Sequence, residues 1–332
     1  MFPISDKKRF LEVKVIPSYK CAKKCPYCYN RDLNNNRYPT NKEKLISTIK
    51  NVIQIPAKSR LVEIIGGEPL SNSSYFLTKE IIQTIRQTSP DTKIIIQSGL
   101  FGMKHIEAIF PIIDGFSYSV DVSVMPKSKN VRNLKHISAL SVQYGVPVQL
   151  QTVLSMDDSL TDIVRFLDYC DNLNYNWIGI GYPECMPYTP KDLDIQVWIY
   201  ANLLNMSSRW QNIILGGAIL ESIHDYMSGV IYNTSCMCGE CSITIQPDGT
   251  LTPCYHYRVN EISSVDSISS IKRIREDMLK NTTCVDCDYW GICHGGCLLG
   301  GLYHNNNHFT KDPAFCYVLK NLVTKCISVK KL

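Results

Sequence analysis

Cys21, Cys25 and Cys28 stand at a C-x3-C-x2-C spacing, with Tyr27 just before the last thiol. A tetrahedral zinc site takes four ligands, commonly as two C-x2-C pairs. Three closely set thiolates instead suit a cubane iron–sulfur cluster in which one iron is left for a ligand that is not protein. A redox C-x-x-C, or a zinc knuckle with a distant fourth ligand, is the alternative that the triplet by itself leaves open. A denser field lies far downstream. Cys236, Cys238 and Cys241 are followed by Cys254, then by Cys284-x2-Cys287-x5-Cys293-x3-Cys297, and by Cys316 after a gap.

The distribution of thiols matters more than their number. Of 15 cysteines in 332 residues, three lie near the N-terminus, two in the middle and ten between Cys236 and Cys326. The start of the chain has no apolar core of signal-peptide length, and no run is long enough to cross a bilayer. A cytoplasmic location is therefore expected, where stable disulfides are rare, and the clustering points to metal binding. Cys170, Cys185 and Cys326 fall outside the patterns and read as buried filler, although Cys185 lies near the expected active face. An apolar fraction of 45% and a charged fraction of 20% fit an ordinary globular chain with a large core.

The elements that must position these thiols follow from the hydrophobic period. Residues 11–17 alternate apolar and polar and read as a strand leading into the cysteine loop. Leu45, Ile46, Ile49, Val52 and Ile53 then recur at helical spacing. Leu61 to Ile65 is a short β-rich run closed by Gly66-Gly67-Glu68-Pro69, where glycines let backbone approach a ligand closely. The alternation repeats: helix at 74–88, strand at 93–97 ending at Ser98-Gly99, helix near 101–110, strand at 116–121, helix near 130–144, strand at 146–153, helix at 160–172, strand at 177–182. Six such βα units predict a parallel sheet with the chemistry gathered at the C-terminal ends of its strands. Residues 191–228 read as helical. Pro247-Asp248-Gly249 between two β-rich segments signals a hairpin that ends at Cys254.

Together these features resemble the radical S-adenosylmethionine (radical SAM) enzymes that carry a C-terminal SPASM domain. Cys21, Cys25 and Cys28 resemble the family's cluster signature, and Gly66 to Pro69 its Gly-Gly-Glu-Pro motif. Gly249-x4-Cys254 with the C-x2-C-x5-C-x3-C run resembles the seven-cysteine SPASM pattern. The resemblance runs from Leu11 to Cys316. It implies an α/β fold: a partial (β/α)6 TIM-like barrel at 1–189, bridging helices at 190–233, and a small cysteine-rich SPASM domain with a β-hairpin and a C-terminal helix at 234–332. It also implies SAM and three [4Fe–4S] clusters.

By this resemblance Cys21, Cys25 and Cys28 hold the cluster whose free iron binds SAM. Gly66, Gly67, Glu68 and Pro69 meet the SAM amino group, while Ser98, Ser119, Asp121 and Gln151 hold its ribose and carboxylate. Tyr27 and Ile180 lie near the adenine. Cys254 and Cys297 share a first auxiliary cluster with two of Cys236, Cys238 and Cys241; spacing favours Cys236 and Cys241, with Cys238 the alternative ligand. Cys284, Cys287, Cys293 and Cys316 hold the second. Zinc is the alternative for this field, disfavoured by SPASM spacings downstream of such a triplet. The three clusters together would carry a formal charge of about −5. The chain's own +5 therefore gives no ground for a nucleic-acid partner, and no basic face interleaved with aromatics is visible.

The resemblance implies reductive cleavage of SAM to a 5′-deoxyadenosyl radical that takes hydrogen from a C–H bond. The cofactor carries the chemistry, and the protein supplies position and water exclusion. SPASM members mostly modify peptides or proteins, by crosslinking ribosomal peptides or by oxidising Ser or Cys in sulfatases to formylglycine. Only about twenty residues precede Cys21, too few for the winged-helix peptide-recognition domain of many crosslinkers, so a separate recognition protein is a possible partner. Sulfatase maturases place an Asp after the cysteine that corresponds to Cys254; this chain has Tyr255-His256, which puts that substrate in doubt and offers either residue as acid or base. A flavodoxin or ferredoxin is the expected electron donor; no nucleic acid and no membrane are expected. A small-molecule dehydrogenase or epimerase acting on an aminocyclitol or sugar, with Cys238 returning hydrogen, is the second reading. A non-catalytic iron–sulfur electron carrier is the third.

Overall fold

Strand and helix alternate from the first described residue to Met227. A computed structural model describes residues 10–23, 25, 27–28, 38–99, 103–122, 128–173, 175–183, 187–228, 236–255, 262, 265–279, 284, 286–305 and 311–330. The order is β1 (Phe10–Val15), α1 (Lys42–Ile53), β2 (Ser59–Ile64), α2 (Tyr75–Thr88), β3 (Lys93–Ser98), α3 (Met103–Ile109), β4 (Gly115–Ser119), α4 (Ser128–Tyr144), β5 (Val148–Val153), α5 (Leu160–Asp171) and β6 (Trp177–Gly181). There follow α6 (Pro190–Asn205), β7 (Ile214–Gly216), α7 (Ala218–Met227), β8 (Ser242–Ile245), β9 (Leu251–Thr252), α8 (Ile268–Leu279), α9 (Trp290–Cys293), α10 (Leu298–Asn305) and α11 (Pro313–Lys330). The six βα repeats and the hairpin agree with the expected parallel α/β fold. No described helix is long and apolar enough to cross a membrane.

Contacts group the chain into two compact units, one of Met1–Ser119, Lys135–Gln149 and Met237–Asp277, the other of Val120–Leu134, Leu150–Cys236 and Met278–Leu332. In the first, the strands order β4-β3-β2-β1-β8-β9, parallel except for β9. Side chains alternate along each strand, so Val13 and Val15 share a buried face with Val62, Ile64, Ile243 and Ile245. Glu12 and Lys14 share the opposite face with Glu63, Ser242 and Thr244. In α1, Leu45, Ile49, Val52 and Ile53 are buried at helical spacing. Asn41 caps this helix by accepting the Lys44 N–H at 3.0 Å, worth about 1 kcal/mol.

The hairpin is not an appendage of the cysteine field. Its β8 strand adds to β1 in parallel, and the Glu12 N–H donates to the Cys241 carbonyl at 2.9 Å. Gly249, at φ +81°, turns the chain into β9.

In the second unit the order is β7-β6-β5. Residues 191–228 are not helical throughout, because β7 interrupts them. Ile213-Ile214-Leu215 is a β-branched run, and a Cβ on Gly216 would stand 2.2 Å from Trp177 Cζ2, so only glycine lets the strand lie against that indole. Thr189 and Asp192 cap α6 reciprocally, with the Thr189 N–H donating to Asp192 at 2.8 Å. α11 packs on α6 and α7 through a face that buries Val318, Leu319, Leu322 and Val323.

Candidate metal centres

β1 runs out at Val15, and the chain continues through Ser18 and Lys20 into Cys21. The end of β2 follows beside it: Ile65 N–H donates to the Val15 carbonyl at 2.9 Å, Gly67 N–H to Ser18 at 3.0 Å, and Glu68 N–H to Lys20 at 3.0 Å. This close approach is why both glycines are needed. Gly66 sits at φ +117°, and a Cβ on Gly67 would lie 2.3 Å from the Lys20 carbonyl oxygen. Cys25 and Cys28 close a turn, the Cys28 N–H donating to the Cys25 carbonyl at 3.1 Å. Cys21 is exposed, and Cys25, Cys28 and Tyr27 are half-buried. Burial, then the charges of Glu68 and Cys28, raise the Cys21 thiol against the pull of the Lys23 N–H. Cys21, Cys28 and Glu68 thus lie near one another, and three thiols in one short loop suit a cube with three protein ligands.

Glu68 is 2% exposed and is spent on the fold. Its Oε1 accepts from Ser98 Oγ at 2.6 Å and Leu70 N–H at 3.0 Å, and its Oε2 from Gly99 N–H at 2.9 Å. Burial raises its pKa, and the Ser98, Leu70 and Gly99 donors oppose that rise. Glu68 and Ser98, both expected at SAM, are thus bonded to each other. Glu68→Gln keeps the shape but turns an amide N–H2 toward one donor. The expected cost is about 2 kcal/mol, read by denaturant unfolding; an unchanged curve would mean that the carboxyl is protonated in the fold.

Ser119 ends β4 and accepts a 3.2 Å hydrogen bond from Gln97 Nε2. Asp121, Gln151 and Ile180 belong to the second unit. There the Val120 N–H donates to the Gln151 carbonyl at 2.9 Å, and Gln151 Oε1 lies where a Cβ on Gly179 would stand, 2.4 Å away. Ile180 is buried, and its carbonyl accepts from Tyr200 at 3.4 Å. Two groups at this end carried no sequence signal. Asp158 has its pKa raised by burial, with Asp121 and Asp162 adding to the rise, and the buried Tyr182 hydroxyl stands near Asp158 without a hydrogen-bond partner among the described residues.

Around Cys238 the chain turns tightly on one carbonyl. Met237 accepts from the N–H groups of Glu240, Cys241 and Ser242 at 3.1, 3.1 and 2.9 Å. Cys241 is 1% exposed, whereas Cys236, Cys238, Cys254 and Cys297 are half-buried. A hydrogen-bond relay leads from the segment after β1 to Cys254: Tyr19 O–H donates to Gln246 Oε1, Gln246 Nε2 to Thr252 Oγ1 at 2.8 Å, and Thr252 Oγ1 to the Cys254 carbonyl at 3.1 Å. Tyr255 packs against Ile16, Tyr19, Tyr38 and Ile65. Lys14, which the sequence reading passed over, has its ammonium 5.0 Å from the Tyr255 ring centre and 3.0 Å from Glu63. Burial opposes the Lys14 charge, and Glu12, Glu63, Tyr255 and Cys238 outweigh it, holding its pKa well above the usual value. His256 and Cys185 lie outside the described residues, as does the Cys326 side chain. Cys170 is fully buried and its thiol is pushed up by that burial, as filler would be.

The downstream thiols form the clearest centre. Cys284, Cys287, Cys293 and Cys316 line one cavity of about 220 Å³ with Tyr289 and Lys320. Cys287 N–H turns back to the Cys284 carbonyl at 3.0 Å, and Trp290 N–H to Cys287 at 2.8 Å, starting α9. After α9, His294, Gly295 and Gly296 are all left-handed, at φ 44°, 84° and 73°. Gly296 thereby donates to the Cys293 carbonyl at 2.8 Å and passes close to Phe315. Asp312 accepts from Phe315 N–H at 3.0 Å and starts α11, whose first turn carries Cys316. Burial, then the charges of Cys316, Cys284 and Cys287, raise the Cys293 thiol against a backbone bond from Gly295. Burial also raises Cys316, with Lys311 and Lys320 opposing it. Among the described residues no three His, Cys, Asp or Glu side chains are grouped to hold a single ion. Four mutually sensing thiols around a cavity fit a four-iron cube.

Residues 15–142 match the 4Fe-4S single cluster domain family. Over 96% of its length the chain is 22% identical to the radical SAM cyclopropyl synthase TigE of Paramaledivibacter caminithermalis, covering 74% of that protein. Over 94% it is 24% identical to a cysteine-type anaerobic sulfatase-maturating enzyme of Clostridium novyi, covering 93% of it. The fold is similar to that of native anSMEcpe with bound AdoMet and Kp18Cys peptide, with a TM-score of 0.68, 16% identity, and 96% and 99% of the two chains covered.

Proposed function

We propose, for a chain that belongs to the radical SAM superfamily and carries a SPASM-type cysteine-rich region, that it removes a hydrogen atom from a C–H bond of a peptide or protein side chain and yields a crosslinked or oxidised product. The observation that carries this reading is the pairing of two thiol sets in one chain: an open three-cysteine loop against a Gly-Gly-Glu-Pro turn, and a closed four-cysteine cavity. When bound, the clusters and SAM supply a carbon radical and sites for single-electron transfer. Similarity to a peptide-bound enzyme along nearly the whole chain supports a peptide substrate.

In this reading Cys21, Cys25 and Cys28 hold the first cluster. Gly66, Gly67 and Pro69 offer backbone to SAM, and Glu68 with Ser98 keeps that backbone in place. Ser119, Asp121 and Gln151 hold ribose and carboxylate, with Tyr27 and Ile180 at the adenine. Cys254 and Cys297 hold the first auxiliary cluster with two of Cys236, Cys238 and Cys241, spacing favouring Cys236 and Cys241. Cys284, Cys287, Cys293 and Cys316 hold the second, for three clusters in all. Tyr255, placed beside Cys254 and under the Lys14 ammonium, or His256, takes the substrate proton. A flavodoxin or ferredoxin in the cytoplasm supplies the electron. The functional division stays at 1–189, 190–233 and 234–332.

The test is anaerobic reconstitution with iron and sulfide, then incubation with dithionite, SAM and short peptides rich in Cys, Ser and aromatic residues. The expected result is 5′-deoxyadenosine together with peptides that have lost two hydrogens. If no 5′-deoxyadenosine forms, the chain is an electron carrier. If it forms with every peptide unchanged while an aminocyclitol or sugar is oxidised, the substrate class is wrong.

A further inference from the structure

Lys320 follows Cys316 by one turn of α11, so the two side chains share a face of that helix. Two contacts fix where its charge sits. Lys320 lines the cavity with the four thiols, and its ammonium stands 5.2 Å over the Tyr289 ring. Four thiolates already complete the ligand set of a cube, so this lysine is not needed as a ligand. Lys311 lines the same cavity but is exposed, so water screens its charge more strongly. A cation held over a ring at the wall of the thiol cavity is a local field.

We propose that Lys320 tunes the redox poise of the cluster held by Cys284, Cys287, Cys293 and Cys316 by favouring its reduced form. This rests on the reading of those four residues as cluster ligands. Reduction adds one electron and takes a cube with four thiolates from a formal charge of about −2 to about −3. No bond is made or broken. The electron comes from the substrate radical, which loses a proton as it is oxidised, or from the external carrier protein. The more negative state gains more from a nearby ammonium. Lys320 thus acts on the cluster through its charge, seated on the Tyr289 ring at the cavity wall.

The test uses the full chain, reconstituted, in a Cys21→Ala/Cys25→Ala/Cys28→Ala background that removes the signal of the first cluster. A Cys284→Ala/Cys287→Ala pair added to it identifies the relevant signal by difference in electron paramagnetic resonance. If that pair loses no iron, the cluster assignment has failed, whatever Lys320 does. With the assignment intact, Lys320→Gln is expected to raise the oxidised-to-reduced ratio about tenfold at a given potential, a fall of about 59 mV for a one-electron couple. Lys320→Arg is expected to restore most of it. A Lys320→Gln protein that keeps its iron and titrates with the parent overturns the proposal. Should Lys320→Gln lose that iron, Tyr289→Leu keeps the ammonium but removes its seat. A smaller shift of the same sign then supports the proposal, and an unchanged potential overturns it.

Discussion

Cys25→Ala will bring 5′-deoxyadenosine formation down to the level of a protein-free control and remove about four irons per chain. In the proposed reading the loop would offer three protein thiols to a cluster and leave its fourth iron position for SAM. With Cys25 gone, the turn it shares with Cys28 has no sulfur at one end. No other cysteine is near in sequence to replace it, since the next thiol after Cys28 is Cys170. The thiols from Cys236 to Cys316 are untouched, so the remaining iron should stay bound and the loss should be partial in metal but complete in activity. Cys170→Ala is the matched control, because that buried thiol stands outside every ligand set and should keep both iron and product. Iron analysis and chromatography of 5′-deoxyadenosine read the two quantities. Unchanged iron, or surviving product in Cys25→Ala, sinks the assignment of this loop.

Gly67→Ala will be nearly as damaging without touching a ligand. Its added Cβ would stand 2.3 Å from the Lys20 carbonyl oxygen and 2.7 Å from the Tyr19 carbonyl carbon. Both are backbone atoms of the segment that delivers Cys21, so neither can swing aside as a flexible side chain would. Relief requires breaking the Gly67 to Ser18 or the Glu68 to Lys20 hydrogen bond, each 3.0 Å long. Overpacking plus one lost hydrogen bond amounts to about 3 kcal/mol. SAM cleavage should fall with it, since the cysteine loop and the turn proposed to meet SAM would move apart. Gly145→Asn is the control: Gly145 sits at φ +65° in open space, where Asn tolerates the left-handed conformation. Equal unfolding midpoints for Gly67→Ala and the parent would show that the turn has slack the geometry does not suggest.

The parts of the centre that were legible in the sequence are local. Thiol spacing in Cys21 to Cys28 and in Cys284 to Cys297, the strand-closing glycines at 66 and 67, and the hairpin around Asp248-Gly249 are written in neighbouring residues. Helical spacing in α1 and the repeated βα period are local as well. The error at 191–228 was also local in kind. Apolar residues on either side of Ile213 to Gly216 mimic helical period, and β7 is selected by the Trp177 surface it lies against.

What only the tertiary structure decided depends on residues far apart in the chain. Cys241 answers to Glu12 across a strand pair, and Tyr19 reaches Gln246, 227 positions away, through a buried hydrogen bond. Glu68 is committed to Ser98 and Gly99 because β2 and β3 end side by side. Lys14 and Lys320 look like ordinary surface lysines until the Tyr255 and Tyr289 rings are placed against them. The sequence by itself determined the thiol spacings and the glycine turn that carry the family resemblance, since both are set within a few residues. The surroundings of those thiols, and with them the charges and hydrogen bonds beside each group, exist only once distant strands and helices have packed.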